Sequence, residues 1–129
     1  MENISVREYP FVLRLDGRAV GWFREVAGLD NIRYIGHRCF VGVSGDLTCK
    51  QGRLDAELFA DWELNESCVV HRKMITIELT DETGCAVMTW EVTNAWMKKA
   101  TLSQSPAEPG EVSLEQIVLA HERITAKRN

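Results

Sequence analysis

Hydrophobic and polar positions alternate along much of this chain, and where the alternation stops the period changes. In residues 73–80, KMITIELT, Ile75, Ile77 and Leu79 share one face and Met74, Thr76, Glu78 and Thr80 the other, the two-residue period of a strand. Residues 85–92, CAVMTWEV, repeat the pattern with Ala86, Met88, Trp90 and Val92 on one face. Asp81-Glu82-Thr83-Gly84 between them is a type I turn sequence with Gly84 free to take positive φ, which predicts a β-hairpin. An earlier hairpin is expected where Phe11, Leu13 and Leu15 alternate, Asp16-Gly17 turns the chain, and AVGWFREV resumes the extended pattern. A third extended stretch runs from about Gly45 to Lys50, with Leu47 and Cys49 opposed to Asp46, Thr48 and Lys50, and Gly52 is expected to close it.

The period then lengthens. In LDAELFADWELNES, Leu54, Leu58 and Trp62 recur at every fourth residue with Phe59 beside them, while Asp55, Glu57, Asp61, Glu63 and Glu66 point away. This predicts one amphipathic helix over about residues 54–66, capped by Asp55, with its early acids at the positive end of the helix dipole. After Trp96 a polar stretch ending in Pro106, Pro109 and Gly110 reads as a loop. Residues 113–124, SLEQIVLAHERI, fit two periods. Leu114, Ile117, Val118 and Ile124 suit a helix face; as a strand, Val112, Leu114, Val118 and Ala120 fall on one side and Ile117 and Leu119 on the other. The whole, residues 1–129, reads as a single domain, mainly β with one helix.

With 129 residues, 45% of them apolar, the chain can bury a core and is not expected to be disordered. Its formal charge of −4, from 15 basic and 19 acidic residues, argues against a dedicated nucleic-acid binder. The N-terminal Met1-Glu2-Asn3 is polar and no apolar run approaches the roughly 20 residues of a membrane span, so no secretion signal or membrane anchor is expected. Cys39, Cys49, Cys68 and Cys85 are widely spaced with no CxxC pair; reduced thiols and assembly in the cytoplasm are expected.

No catalytic motif stands out. His37, His71 and His121 share no metal-ligand spacing, and there is no P-loop or GxSxG elbow. His121 and Glu122 are adjacent, so on a strand they face opposite ways and cannot act on one atom. The outward acids of the helix read as a solvated face rather than a cation site. Trp62 and Trp90 fall on apolar faces and read as core; Trp22 and Trp96 are left as ligand or interface contacts. No enzyme activity, cofactor or metal is expected.

The ordered set FVLRLDGRAVGWFREVAGLD (11–30), GDLTCKQG (45–52), the helix with Trp62, MITIELTDETG (74–84), WEVTNAW (90–96) and EVSLEQIVLAHERI (111–124) resembles the tail-tube proteins of contractile phages and of phage-derived contractile injection systems. The resemblance spans nearly the whole chain; the G-x-x-T-x-K-x-G strand, the N-A-W after a hairpin and the final A-H-E carry it. It implies a small β-barrel or β-sandwich of two packed antiparallel sheets with one flanking helix. It further implies hexameric rings, each subunit giving strands to a continuous barrel, stacked into an inner tube within a contractile sheath. The implied partners are the chain itself, sheath and baseplate proteins, and DNA or protein cargo in the lumen.

On that reading residues 111–121 form a strand, with His121 at its end as a hydrogen-bonding or interface residue. Arg33, Arg38, Thr48, Lys50, Trp96 and His121 are the candidate lumen or inter-subunit residues, with Thr48 expected to pair across subunits. In one departure from the family pattern, the arm between G-L-D and G-x-x-T is only Asn31 to Ser44, which suits a compact tube subunit or a specialised ring at the tube end. A different class, a monomeric or dimeric β-sandwich binding module using Trp22 and Trp96, is the alternative.

Overall fold

The computed structural model describes residues 9–29, 33–34, 39–42, 45–64 and 73–128. Asp16 and Gly17, at φ 54° and 80°, make the tight turn that joins β1 (Phe11–Leu15) to β2 (Arg18–Ala27). Positive φ at both turn residues matches the twist of the flanking strands. The short β3 (Arg33–Tyr34) and β4 (Cys39–Gly42) pair with each other, and β5 (Gly45–Asp55) leads into α1 (Ala56–Leu64). β6 (Lys73–Thr80) and β7 (Ala86–Leu102) form the second predicted hairpin, followed by β8 (Glu111–His121) and β9 (Arg123–Arg128).

All pairings are antiparallel, in the order β3-β4-β9-β7-β6-β1-β2-β5-β8, with β7 also pairing β8. That last pairing closes β1, β2, β5, β8, β7 and β6 into a six-stranded barrel. It works because β7 is 17 residues long. Residues Met88 to Thr93 pair with β9, and Trp96 to Leu102 pair with β8 along the same edge. The core is filled by Leu13, Phe23, Leu47, Cys49, Leu54, Ile75, Ile77, Val92, Ala95, Leu114, Ile117 and Leu119 of the barrel strands together with Ile124 and Ala126 of β9, all at most 1% exposed. α1 adds Leu58 and Trp62 to this core, as its four-residue period predicted. Asp55 Oδ1 accepts from the Glu57 amide at 3.0 Å, the expected cap.

Several boundaries move. Leu54 and Asp55 belong to β5 rather than the helix, so the helix begins at Ala56 and is described to Leu64. Gly52 does not end its strand but sits inside it, because a Cβ there would lie 2.0 Å from the Trp22 carbonyl oxygen and 2.5 Å from Phe23 Cδ1. The polar stretch after Trp96 remains strand to Leu102. Residues 111–121 are a strand, as the resemblance implied, but Leu114 packs into the core with Ile117 and Leu119 rather than on the opposite side. At the second hairpin, Asp81 Oδ1 accepts from the Thr83 hydroxyl at 2.6 Å, the Thr83 amide at 2.9 Å and the Cys85 amide at 3.0 Å, and Gly84 takes φ 88°. Burial pushes the Cys49 thiol up to about 12, so it acts as a small core hydrophobe.

Candidate assembly surface

Four strands of the barrel, β2, β5, β8 and β7, form a continuous antiparallel sheet. Side chains alternate across it, so register fixes which residues share its outward face. Three rows cross that face: Glu25–Lys50–Gln116–Thr101, Ala27–Thr48–Val118–Lys99, and Asp46–Ala120–Trp96. The intervening Val26, Leu47, Cys49, Ile117, Leu119, Met97 and Ala100 pack into the core. The outward face is therefore largely polar and mixed in charge, with Ala27, Val118, Ala120 and Trp96 as its apolar members. Lys50 Nζ lies 3.7 Å from Glu25 Oε2, and Lys98 Nζ 3.1 Å from Asp46 Oδ2. These exposed pairs contribute on the order of 0–1 kcal/mol each, and they leave the face close to neutral.

On the two outer strands of this sheet, stretches of backbone have no partner among the described residues. β2 pairs with β1 only as far as Phe23, so residues 24–27 have no described partner on that side. β7 pairs with β6 only as far as Ala95, so residues 97–102 have none on the side away from β8. β2 and β7 run in opposite directions, since three antiparallel pairings separate them. Two such edges on opposite sides of one sheet are complementary, and pairing them continues the antiparallel alternation from copy to copy.

The candidate residues fall unevenly on this frame. Thr48 and Lys50 are on the outward face, with Trp96 in the row nearest the start of β5. Thr48 is not on an edge: it pairs with Ala27 on one side and Val118 on the other, inside its own chain. Its expected cross-subunit backbone pairing is thus corrected, and only its side chain remains available. Arg33 lies in β3; its side chain, and Arg38, His37 and His71, lie outside the described residues. His121 ends β8 opposite Gly45, 2% exposed, with Nδ1 buried and without a hydrogen-bond partner. Burial holds its imidazole below the usual histidine value, and Asp46 opposes that shift. Trp22 and Trp96 do not converge. Trp22 is level with Arg53 near one end of β5, and Trp96 with Asp46 near the other. Among the described residues no three His, Cys, Asp or Glu side chains are grouped to hold a metal ion, and no helix is long and apolar enough to cross a membrane.

The second half of β7, with Lys98, Lys99 and Thr101, escaped the sequence reading. Two adjacent lysines break the alternation because a register shift between Met97 and Lys99 puts an extra residue there.

The described residues thus form a closed antiparallel barrel with a largely polar outward sheet and one helix, an architecture that fits a tail-tube domain. The sequence model of the family described as T4-like virus tail tube protein gp19 matches residues 43–125, and the chain belongs to that family. A chain of the extracellular contractile injection system PVC sheath–tube complex in its extended state is 27% identical, with TM-score 0.57, over 94% of this chain and 90% of that one. A chain of the PVC sheath/tube terminator in its extended state shares the fold at TM-score 0.59 and 24% identity, over 98% of both chains. A chain of the anti-feeding prophage cap, the AFP tube-terminating cap, does so at TM-score 0.58 and 22% identity, over 100% of this chain and 95% of that one. No curated protein matches the chain.

Proposed function

We propose that this chain is a non-enzymatic structural subunit that forms hexameric rings, which stack into the inner tube of a contractile tail or injection system. The observation that carries this reading is that residues 24–27 of β2 and 97–102 of β7, on opposite sides of one sheet, have no pairing partner on their outer sides among the described residues. An open edge is an aggregation hazard unless something covers it. Pairing β2 of one copy with β7 of the next covers both, and a closed ring leaves neither exposed. The outward face then lines the channel, where Lys50, Thr48, Gln116 and Thr101 give a hydrophilic wall past which DNA or protein cargo can slide. Sheath and baseplate proteins are the outer partners. The family match and the likeness to a sheath–tube complex support the reading.

Crosslinking tests the edge assignment. Ala27→Cys and Thr101→Cys are combined in a chain whose Cys39, Cys68 and Cys85 are changed to serine, then treated with a short bis-maleimide. A ladder of oligomers ending at the hexamer is expected, with no more than dimers from either single variant. Rings visible by negative stain that give no ladder would assign the contact to other strands. Featureless particles at every concentration would overturn the tube reading itself.

A second reading, a specialised ring at the tube end, rests on the arm. In the sequence that arm is only Asn31 to Ser44, a small handle for a neighbouring ring. Purified main-tube subunits separate the two: a tube-end chain stops rod growth when added, and a tube subunit extends it.

A further inference from the structure

Three neighbouring strands of the outward sheet change their inward side at one level. On β2, Phe23 and Val26 both pack into the core although an odd number of positions separates them, and so do Cys49 and Leu54 on β5 and Leu114 and Ile117 on β8. A regular strand puts such pairs on opposite faces. At the switch two successive residues face outward on each strand: Arg24 and Glu25, Lys50 and Gln51, Glu115 and Gln116. β5 makes the switch at Gln51, whose φ of 53° is a conformation that glycine accepts freely and glutamine does not. Backbone strain of this kind collects at ligand clamps.

A polar trough runs along this line. Gln51 and Glu115 both line a cleft of about 350 Å³ and a second cleft of about 260 Å³. The larger is walled by Tyr9, Arg24 and Ser113, the smaller by Lys50 and Gln116. The Tyr9 wall is braced, since the Arg53 guanidinium lies 5.5 Å from its ring centroid and 3.6 Å from a Glu111 carboxylate oxygen. The side chains of Arg24, Gln51 and Glu115 have no hydrogen bond or ion pair among the described residues. From β2 across β5 to β8 the trough spans two strand spacings, roughly 10 Å, the length of about three extended residues. A DNA duplex cannot enter a space of this size, and a phosphate strand laid in it would meet Glu115. A polypeptide fits the chemistry: it carries an amide donor and acceptor at nearly every residue, and a carboxamide such as that of Gln51 both donates and accepts.

We propose that this trough binds an extended stretch of unfolded polypeptide, with Gln51 on its backbone amides and Arg24 and Glu115 on its charged side chains. That the polypeptide is cargo rests on the tube reading, which puts this face in the channel. A weak site repeated around a ring holds a chain by avidity and still lets it move.

NMR titration of the dilute, unassembled chain tests the site. The probes are a short unstructured peptide of Ala, Ser, Glu and Lys, and single-stranded and duplex DNA. The peptide is expected to shift the amides of Gln51, Ser113 and Glu115 saturably, with a Kd on the order of 1 mM, and to leave β6 and β9 unmoved. Gln51→Gly should weaken binding roughly tenfold and also raise the melting temperature, because glycine takes this φ without strain. Arg24→Gln and Glu115→Gln, both exposed, should each weaken binding by roughly three- to fivefold and serve if Gln51→Gly does not fold. No saturable shift at these amides overturns the proposal. So does DNA that shifts them where the peptide does not, or variants that all bind as the native chain does. Ring formation is read separately by negative stain, so a chain that binds peptide without forming rings would lose the tube reading and keep the site.

Discussion

Gly45 lies opposite His121 in the same register that sets Gly42 opposite Ile124, so no residue is gained or lost across the gap between β4 and β5. The register holds from Cys39 opposite Lys127 to Asp55 opposite Glu111. The described residues of β4 and β5 therefore keep one register with β9 and β8, a ribbon that contributes to the barrel at one end and to the β4–β9 extension at the other. The segment around residues 31–44, which looks like a shortened arm in the sequence, carries β3 and β4, and β4 continues this ribbon.

The ribbon changes what a strand-breaking substitution tests. Thr48 lies in the middle of it, paired to β2 and β8 within the chain. Thr48→Pro removes a ladder donor, leaves a carbonyl unpaired and forces φ, at a cost of about 1–3 kcal/mol or more. The expected outcome is a monomer of reduced stability in urea, not a well-folded monomer that merely fails to form rings. A folded Thr48→Pro monomer with unchanged midpoint would show that this ladder matters little.

Gly52 gives a sharper local test. Any Cβ there meets the Trp22 carbonyl oxygen at 2.0 Å and Phe23 Cα at 2.8 Å, backbone atoms that cannot rotate away. Gly52→Ala must push β2 from β5, and overpacking of this kind costs about 1–3 kcal/mol, occasionally more. Gly84→Ala is the control, with no atom within 4 Å of the added carbon but φ at 88°, so its penalty is conformational only. Thermal melts of the two should place Gly52→Ala lower.

The contrast between these glycines also shows what the sequence could reveal. Asp16-Gly17 and Asp81 to Gly84 act through local backbone geometry, and both hairpins are legible from the residues themselves. Gly52 acts through a strand nearly thirty residues earlier, so its sequence surroundings suggest an ending where the structure has close contact. The same holds for β7. Its polar second half has one side against β8 and no partner among the described residues on the other, and neither circumstance is visible in a local window. Residues 113–124 fitted two periods because Leu114 and Ile117 both face the core although they are three positions apart, an odd spacing for one strand face. Of the candidate site, Lys50 and Thr48 were legible as the polar side of an alternating strand. The edges were not, since an edge is defined by the absence of a partner.

At the second hairpin the Thr83 hydroxyl, with the Cys85 amide after it, holds the Asp81 carboxyl below the usual carboxylate range. A depressed folded value means that its contribution is present above the unfolded carboxylate value, about 3.9, and is lost as pH falls through the folded one. Asp81→Asn, which keeps a carbonyl acceptor but no charge, should reduce the acid sensitivity of this hairpin. Amide exchange at Thr83 and Cys85 between neutral pH and pH 3 measures it; identical profiles for the two proteins would show that the charge is immaterial.

The helix gives the last and largest expected effect. Trp62 is 2% exposed and joins the core with Leu58 and Leu54. Its Nε1 is buried with no hydrogen-bond partner, so the side chain stabilises by packing rather than by a polar contact. Trp62→Ala should cost about 3–5 kcal/mol, the range for large buried aromatics. Against a typical total of about 5–15 kcal/mol that can unfold the subunit. Trp62→Phe keeps most of the buried ring and gives up no hydrogen bond, so it should fall well short of the alanine loss. Urea denaturation of the monomer, kept dilute so that assembly does not add stability, separates the contributions. Equal losses for phenylalanine and alanine would mean that the indole N–H does have a partner, and no loss for either would remove α1 from the core.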